Sequence, residues 1–181
     1  MNIVLTGMRG SGKSFYGRAL AKALNWKFLD TDEMIEKEQN ATITEIVQLH
    51  GWPYFRKLEK TLCQNLTNQE LVNLDEYVIA TGGGIIIDRE NEALLRQNGK
   101  IILLYRDIDK CTEYIINGHK KDKRPSLKDP SVNILDPETL EKELTETWNE
   151  REKRYRQSAD LIIDVSKEKD PEEILEMLGN I

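Results

Sequence analysis

Short apolar runs alternate with stripes of apolar residues at helical spacing along nearly the whole chain. Asn2 to Thr6, with Ile3-Val4-Leu5 at its centre, predicts a buried first strand. From Lys13 onward, Tyr16, Ala19, Leu20, Ala23 and Leu24 recur as one helical face. Lys27 to Leu29 predicts a short second strand running into Asp30-Thr31-Asp32. Thr42 and Glu45 form a capping-box pair ahead of a helix through Ile46, Val47 and Leu49. Another helix carries Phe55, Leu58, Leu62 and Leu66, and Tyr77 to Thr81 reads as a third strand. A helix around Ala93 to Leu95 is expected to stop at Gly99 as a C′ glycine, before a fourth strand at Ile101 to Tyr105. A helix near Cys111 to Ile116 follows, and Asp136-Pro137 opens a long helix to about Arg156. Leu161 to Val165 is the fifth strand, and Asp170-Pro171 opens a last helix closed by Gly179. This alternation over 181 residues predicts one α/β domain, residues 1–181, with a mainly parallel sheet.

No apolar run approaches the ~20 residues of a membrane span. The apolar start is too short for a signal-peptide core, so the protein is expected to stay in the cytoplasm. Cys63 and Cys111 have neither metal spacing nor a disulfide framework. His50 and His119 suggest no metal site, and Trp26, Trp52 and Trp148 are expected to be packing residues. The net charge of −6 argues against a nucleic-acid partner. Within that acidic chain, Lys120, Lys121, Lys123 and Arg124 form one basic island, and Arg151, Lys153, Arg154 and Arg156 another. Basic islands of this size point to a compact anionic ligand.

Gly7-Met8-Arg9-Gly10-Ser11-Gly12-Lys13-Ser14 matches the phosphate-loop pattern G-x-x-x-x-G-K-[ST] between a strand and a helix. Backbone N–H groups of such a loop cradle phosphates, Lys13 reaches the β- and γ-phosphates, and the Ser14 hydroxyl binds Mg²⁺. The loop implies ATP, but it does not separate a kinase from a GTPase switch or a motor. The chain has no Asp-x-x-Gly switch and no guanine-reading Asn/Thr-Lys-x-Asp. A small-molecule kinase is the class that remains.

The acceptor side rests on four features. Asp30 and Asp32 sit two apart at a strand end, so on an extended segment both carboxylates would face the cleft. One could hold the Mg²⁺ shell and the other draw off the acceptor's proton, although Asp30 also fits a helix N-cap and Asp32 a solvated acid. Gly82-Gly83-Gly84 marks either close backbone approach to a ligand or a tight turn. Arg56 lies beside the stripe of Phe55, Leu58 and Leu62, with Glu59 one turn away. Arg151 falls inside the stripe of Leu140, Leu144, Trp148 and Tyr155, so it needs a partner, either a protein carboxylate or a ligand anion. Arg154 and Arg156 fall away from that stripe and read as solvated.

With GMRGSGKS at 7–14, LDTD at 29–32, F-R-x-x-E at 55–59, GGG at 82–84, RP at 124–125 and R-x-x-x-Y at 151–155, the chain resembles the shikimate kinase family over nearly its whole length. The resemblance implies a nucleoside-kinase-like fold. Its parts are a five-stranded parallel sheet with helices on both faces, a substrate-binding region at about 31–60 and a mobile lid at about 118–128. It implies transfer of the γ-phosphoryl group of ATP to the 3-hydroxyl of shikimate, in the chorismate route. An inactive nucleotide-binding regulator, or a kinase for another hydroxy acid such as gluconate, are the alternatives. The resemblance further implies that Gly10, Ser11, Gly12, Lys13, Ser14 and Phe15 contact the nucleotide and that Asp30 assists the metal. Asp32 would bind shikimate hydroxyls and act as the base. Arg56 and Arg151 would clamp the substrate carboxylate, with Gly82, Gly83 and Gly84 lining the pocket and Glu59 supporting Arg56 or meeting a hydroxyl. Arg124 would reach the transferring phosphate from the lid. A monomer without nucleic-acid or membrane partners is expected. Phe15, Trp52-Pro53 and Ser126 depart from the residues usual in the family, and Asn117 lies where a second lid arginine is common.

Overall fold

The computed structural model describes residues 1–67, 76–118, 125–127, 129, 136–167 and 169–179. Five strands form one sheet: β1 (Asn2–Thr6), β2 (Lys27–Asp30), β3 (Tyr77–Ala80), β4 (Gly99–Tyr105) and β5 (Leu161–Asp164). Every neighbouring pair is parallel, and the order is β2-β3-β1-β4-β5. The helices are α1 (Lys13–Leu24), α2 (Thr31–Gln39), α3 (Ile43–His50), α4 (Trp52–Thr67), α5 (Arg89–Gln97), α6 (Ile108–Asn117), α7 (Pro137–Ser158) and α8 (Pro171–Leu178). A short 3₁₀ turn spans Ile85–Ile87.

Both faces of the sheet are covered, and the side-chain alternation of the strands sorts the core into two layers. Val4, Ile79, Ile101 and Leu103 pack with Ile35, Phe55, Leu62, Leu140, Leu144 and Tyr155. Ile3, Leu5, Val78, Ile102, Leu104 and Ile163 pack with Tyr16 and Leu20 of α1 and Ile174 of α8. No helix among the described residues is long and apolar enough to cross a membrane.

The caps read from the sequence form as expected. Thr42 and Glu45 make a reciprocal capping box, and Asp136 accepts from Thr139 N ahead of Pro137. Two readings change. Gly99 is not a left-handed helix stop: it opens β4 opposite Asn2, and a Cβ there would lie 2.8 Å from Val4 Cγ2. The glycine is required by close packing, not by a turn. Secondly, the extended segment expected through Asp32 ends at Asp30, because Asp30 caps α2.

The carboxyl ends of β1, β2 and β3 therefore carry, in turn, the glycine loop, Asp30 and the Gly82–Gly84 turn. In an open parallel sheet that edge is where ligands gather.

Candidate active site

The loop from Gly7 to Gly12 joins β1 to α1, and Gly12, at φ 88°, is the N-cap of that helix. A side chain at this φ would be strained, so only glycine turns the chain cheaply into α1 here. The positive end of α1 and its free N–H groups then face the loop. Lys13 Nζ donates to the carbonyls of Gly7 at 3.0 Å and Met8 at 2.8 Å, which keeps its charge folded onto the loop. Arg106 is buried and donates to Gly10 O at 3.3 Å, and its guanidinium lies 5.1 Å from the centre of the Tyr114 ring. Phe15 and Tyr114 are both well exposed and line the same pocket as the loop and Asp30. Phe15 was expected here; Arg106 and Tyr114 were not, because their approach comes from β4 and α6, about a hundred positions further on.

Asp30 engages two neighbours at once, one through each carboxylate oxygen. Its Oδ1 accepts from the backbone N–H of Asp32 at 3.0 Å and Glu33 at 3.4 Å, which is the N-cap. Its Oδ2 accepts from the Ser14 hydroxyl at 2.6 Å. A hydroxyl and a carboxylate joined in this way fit Mg²⁺, which takes one or two protein oxygens and fills its shell with phosphate and water. Among the described residues no group of three or more His, Cys, Asp or Glu side chains could hold a metal ion unaided.

Asp32 stands in the first turn of α2, buried, and faces a second cleft lined by Arg56, Glu59, Gly82, Gly83, Gly84 and Arg151. Gly82 and Gly84 are close-approach positions, whereas a Cβ at Gly83 would meet nothing nearer than 3.4 Å. A Cβ at Gly82 would lie 2.5 Å from Asp32 Oδ1 and 3.0 Å from Glu59 Oε1, and one at Gly84 would overlap the Arg56 guanidinium. Thr31 Oγ1 fixes the turn by accepting from Gly82 N at 2.8 Å.

Arg56 pairs with Glu59, which is only 1% exposed. Burial pushes the Glu59 carboxyl up to about 7 against the opposing charge of Arg56, with Asp32 adding a smaller upward push. Its Oε1 is buried with no hydrogen-bond partner among the described residues. Arg151 Nη1 donates to Gly83 O at 3.3 Å, and the Tyr155 hydroxyl donates to the same carbonyl. Among the described residues no carboxylate forms an ion pair with Arg151, so of its two expected partners the protein carboxylate is not the one found. Arg154, expected to be solvated, instead donates to Glu92 at 2.5 Å and to Ile86 O at 3.3 Å, tying α7 to α5. Arg156 is exposed beside Glu152, as expected.

Residues 119–124 of the expected lid, Arg124 among them, and residue 128 lie outside the described residues. Trp52, expected only to pack, lines the second cleft and donates through its indole N–H to Ser126 O at 3.1 Å.

The family model "Shikimate kinase" matches residues 9–180. A shikimate kinase of Caldanaerobacter subterraneus is 41% identical over 175 residues, covering 97% of this chain and 92% of the relative. One from Syntrophus aciditrophicus is 36% identical over 167 residues, covering 92% and 83%. Among solved structures, the shikimate kinase from Acinetobacter baumannii in complex with shikimate superposes with a TM-score of 0.81. It is 30% identical, and the match covers 99% of this chain and 93% of that one.

Proposed function

The chain belongs to the shikimate kinase family, and from that premise we propose that it transfers the γ-phosphoryl group of ATP to the 3-hydroxyl of shikimate, giving shikimate 3-phosphate and ADP. The observation that carries the reading is the acceptor cleft. A cationic pair, Arg56 and Arg151, faces it beside a buried carboxylate, Asp32, and Arg9 lines both this cleft and the phosphate-loop pocket.

In this reading Arg56 and Arg151 hold the acceptor carboxylate through charge-assisted hydrogen bonds. Asp32 accepts a hydrogen bond from the acceptor hydroxyl and takes its proton as the new P–O bond forms and the β–γ bridging bond breaks. Lys13 swings from the Gly7 and Met8 carbonyls onto the phosphates and, with the loop N–H groups of Gly10, Ser11 and Gly12, takes up the charge left on ADP. Ser14 and Asp30 would hold Mg²⁺, whose positive charge would offset that of the phosphates. Glu59 keeps Arg56 in place, Gly82, Gly83 and Gly84 keep the cleft open, and Phe15 borders the nucleotide. Arg124 supplies a further positive charge to the transferring group. The chain works as a monomeric single domain in the cytoplasm, with a lid at about 118–128 and no nucleic-acid or membrane partner.

ADP release by the purified chain with ATP and Mg²⁺ tests this, with shikimate, gluconate and quinate as separate acceptors. Release confined to shikimate is the expected result. Release with gluconate instead would keep the kinase and overturn the acceptor. Bound ATP without acceptor-dependent release would leave a nucleotide-binding regulator.

A further inference from the structure

Trp52 and Glu143 have no part in the roles above, yet both grip the same three residues. Pro125 and Leu127 line the acceptor cleft, while Ser126 between them is buried. The Ser126 carbonyl accepts from Trp52 Nε1 at 3.1 Å. The Ser126 hydroxyl donates to Glu143 Oε2, and Glu143 Oε1 accepts from Leu127 N at 3.3 Å. Asp129 N closes the turn by donating to Ser126 Oγ at 3.2 Å.

Glu143 is buried on α7, and among the described residues no cation pairs with it. A buried carboxylate met only by neutral donors is costly to keep. What it supplies in return is two acceptor oxygens, one for the Ser126 hydroxyl and one for the Leu127 N–H. The two grips also come from the two helices that hold the acceptor-binding residues. Glu143, Thr147 and Arg151 recur every four residues on α7, and Thr147 and Arg151 line the cleft. Trp52 and Arg56 are four apart on α4, and the Arg56 guanidinium carbon lies 5.4 Å from the Trp52 ring centre.

We propose that Trp52 and Glu143 are positioning residues that hold Ser126 from α4 and α7, so that Pro125 and Leu127 form an apolar wall against the acceptor and tighten its binding. The inference rests on the shikimate kinase reading above. Trp52→Phe keeps an aromatic ring but loses the N–H, and Ser126→Ala loses the hydroxyl but keeps the carbonyl. Trp52→Phe is expected to raise the shikimate KM about 5- to 10-fold, the scale of one lost hydrogen bond, and Ser126→Ala, which loses the bonds with Glu143 and Asp129 N, at least as much, with the ATP KM and kcat within about twofold in both. Glu143→Ala is expected to lose more, and Glu143→Gln to recover most of that loss, because its amide oxygen still accepts. Shikimate binding without nucleotide, followed by calorimetry, should weaken by the same factor as KM. Unchanged acceptor binding in Trp52→Phe and Ser126→Ala would overturn the proposal, and so would an equal loss of ATP affinity. If Glu143→Ala does not fold, the other two variants decide. A wild-type chain without shikimate-dependent ADP release would overturn the functional reading, whereas an active wild type with indifferent variants overturns the positioning role alone.

Discussion

Substituting Gly84 by alanine separates the acceptor site from the fold. Gly84 has φ −105° and ψ −12°, a conformation alanine adopts readily, so the backbone itself resists nothing. The added methyl would instead occupy the space of the Arg56 guanidinium, which is the far end of a flexible side chain and can move. Moving it breaks the pair with the buried Glu59. Stranding one partner of a buried pair ordinarily costs about 3–5 kcal/mol. Here the cost is capped, because a carboxyl already pushed to about 7 by burial takes up a proton at neutral pH. The expected loss of stability is therefore only about 1–2 kcal/mol, smaller at pH 6 than at pH 8. The acceptor should lose the Arg56 hydrogen bonds, about 1.5–3 kcal/mol for bonds to a charged group, so its KM should rise roughly 10- to 150-fold. Coupled ADP-release kinetics with shikimate and ATP varied separately, alongside thermal melts at both pH values, would measure all of this. An unchanged shikimate KM, or a matching rise in the KM for ATP, would refute the reasoning.

Other variants divide overlapping roles. Asp30→Asn keeps a good N-cap and an acceptor for α2, so its melting temperature should stay within a few degrees while the Mg²⁺ concentration for half-maximal rate rises at least tenfold; a large loss of stability with normal Mg²⁺ dependence would assign Asp30 to the cap alone. Asp32→Asn should cut kcat by about 10²-fold or more with ATP affinity kept within threefold, read by nucleotide titration, and a parallel loss of ATP binding would remove Asp32 from the proton-accepting role. Glu59 has a folded value near 7 against an ordinary 4.5, so between those pH values the folded state binds the extra proton. Its stabilising effect is thus complete below about pH 4.5 and fades as pH rises through 7, on the order of 3 kcal/mol. In urea titrations Glu59→Gln should flatten that stretch of the stability–pH curve, and an unaltered slope would count against the buried carboxyl.

The parts of the site that the sequence makes plain are those encoded by local spacing. The phosphate loop needs only eight consecutive residues, and Arg151 is exposed as unusual by the apolar neighbours on its own helix. The order of elements follows from the same local periodicity. For Asp30 and Asp32 the local sequence offered both an extended segment and an N-cap, and the N-cap with its acidic first turn is the one that forms. The remaining differences are tertiary. Arg154 finds Glu92 at a separation of 62 residues, and Trp52 finds Ser126 at 74. Nothing in the residues flanking either partner reports those distances. Gly99 belongs to the same class, since its reason is a Val4 methyl on the neighbouring strand.

Glu143, Thr147, Arg151 and Tyr155 lie four apart along α7, from the carboxylate that holds Ser126 to the hydroxyl that meets the Gly83 carbonyl. At 1.5 Å per residue they span about 18 Å, so the helix acts as a ruler laid along the acceptor cleft. One residue inserted or removed between 143 and 155 would turn everything beyond it by about 100° and carry Arg151 off the cleft or Tyr155 off the Gly83 carbonyl. Exchange of one side chain for another on the outward face, at positions such as Thr145 and Glu150, should by contrast leave this spacing untouched.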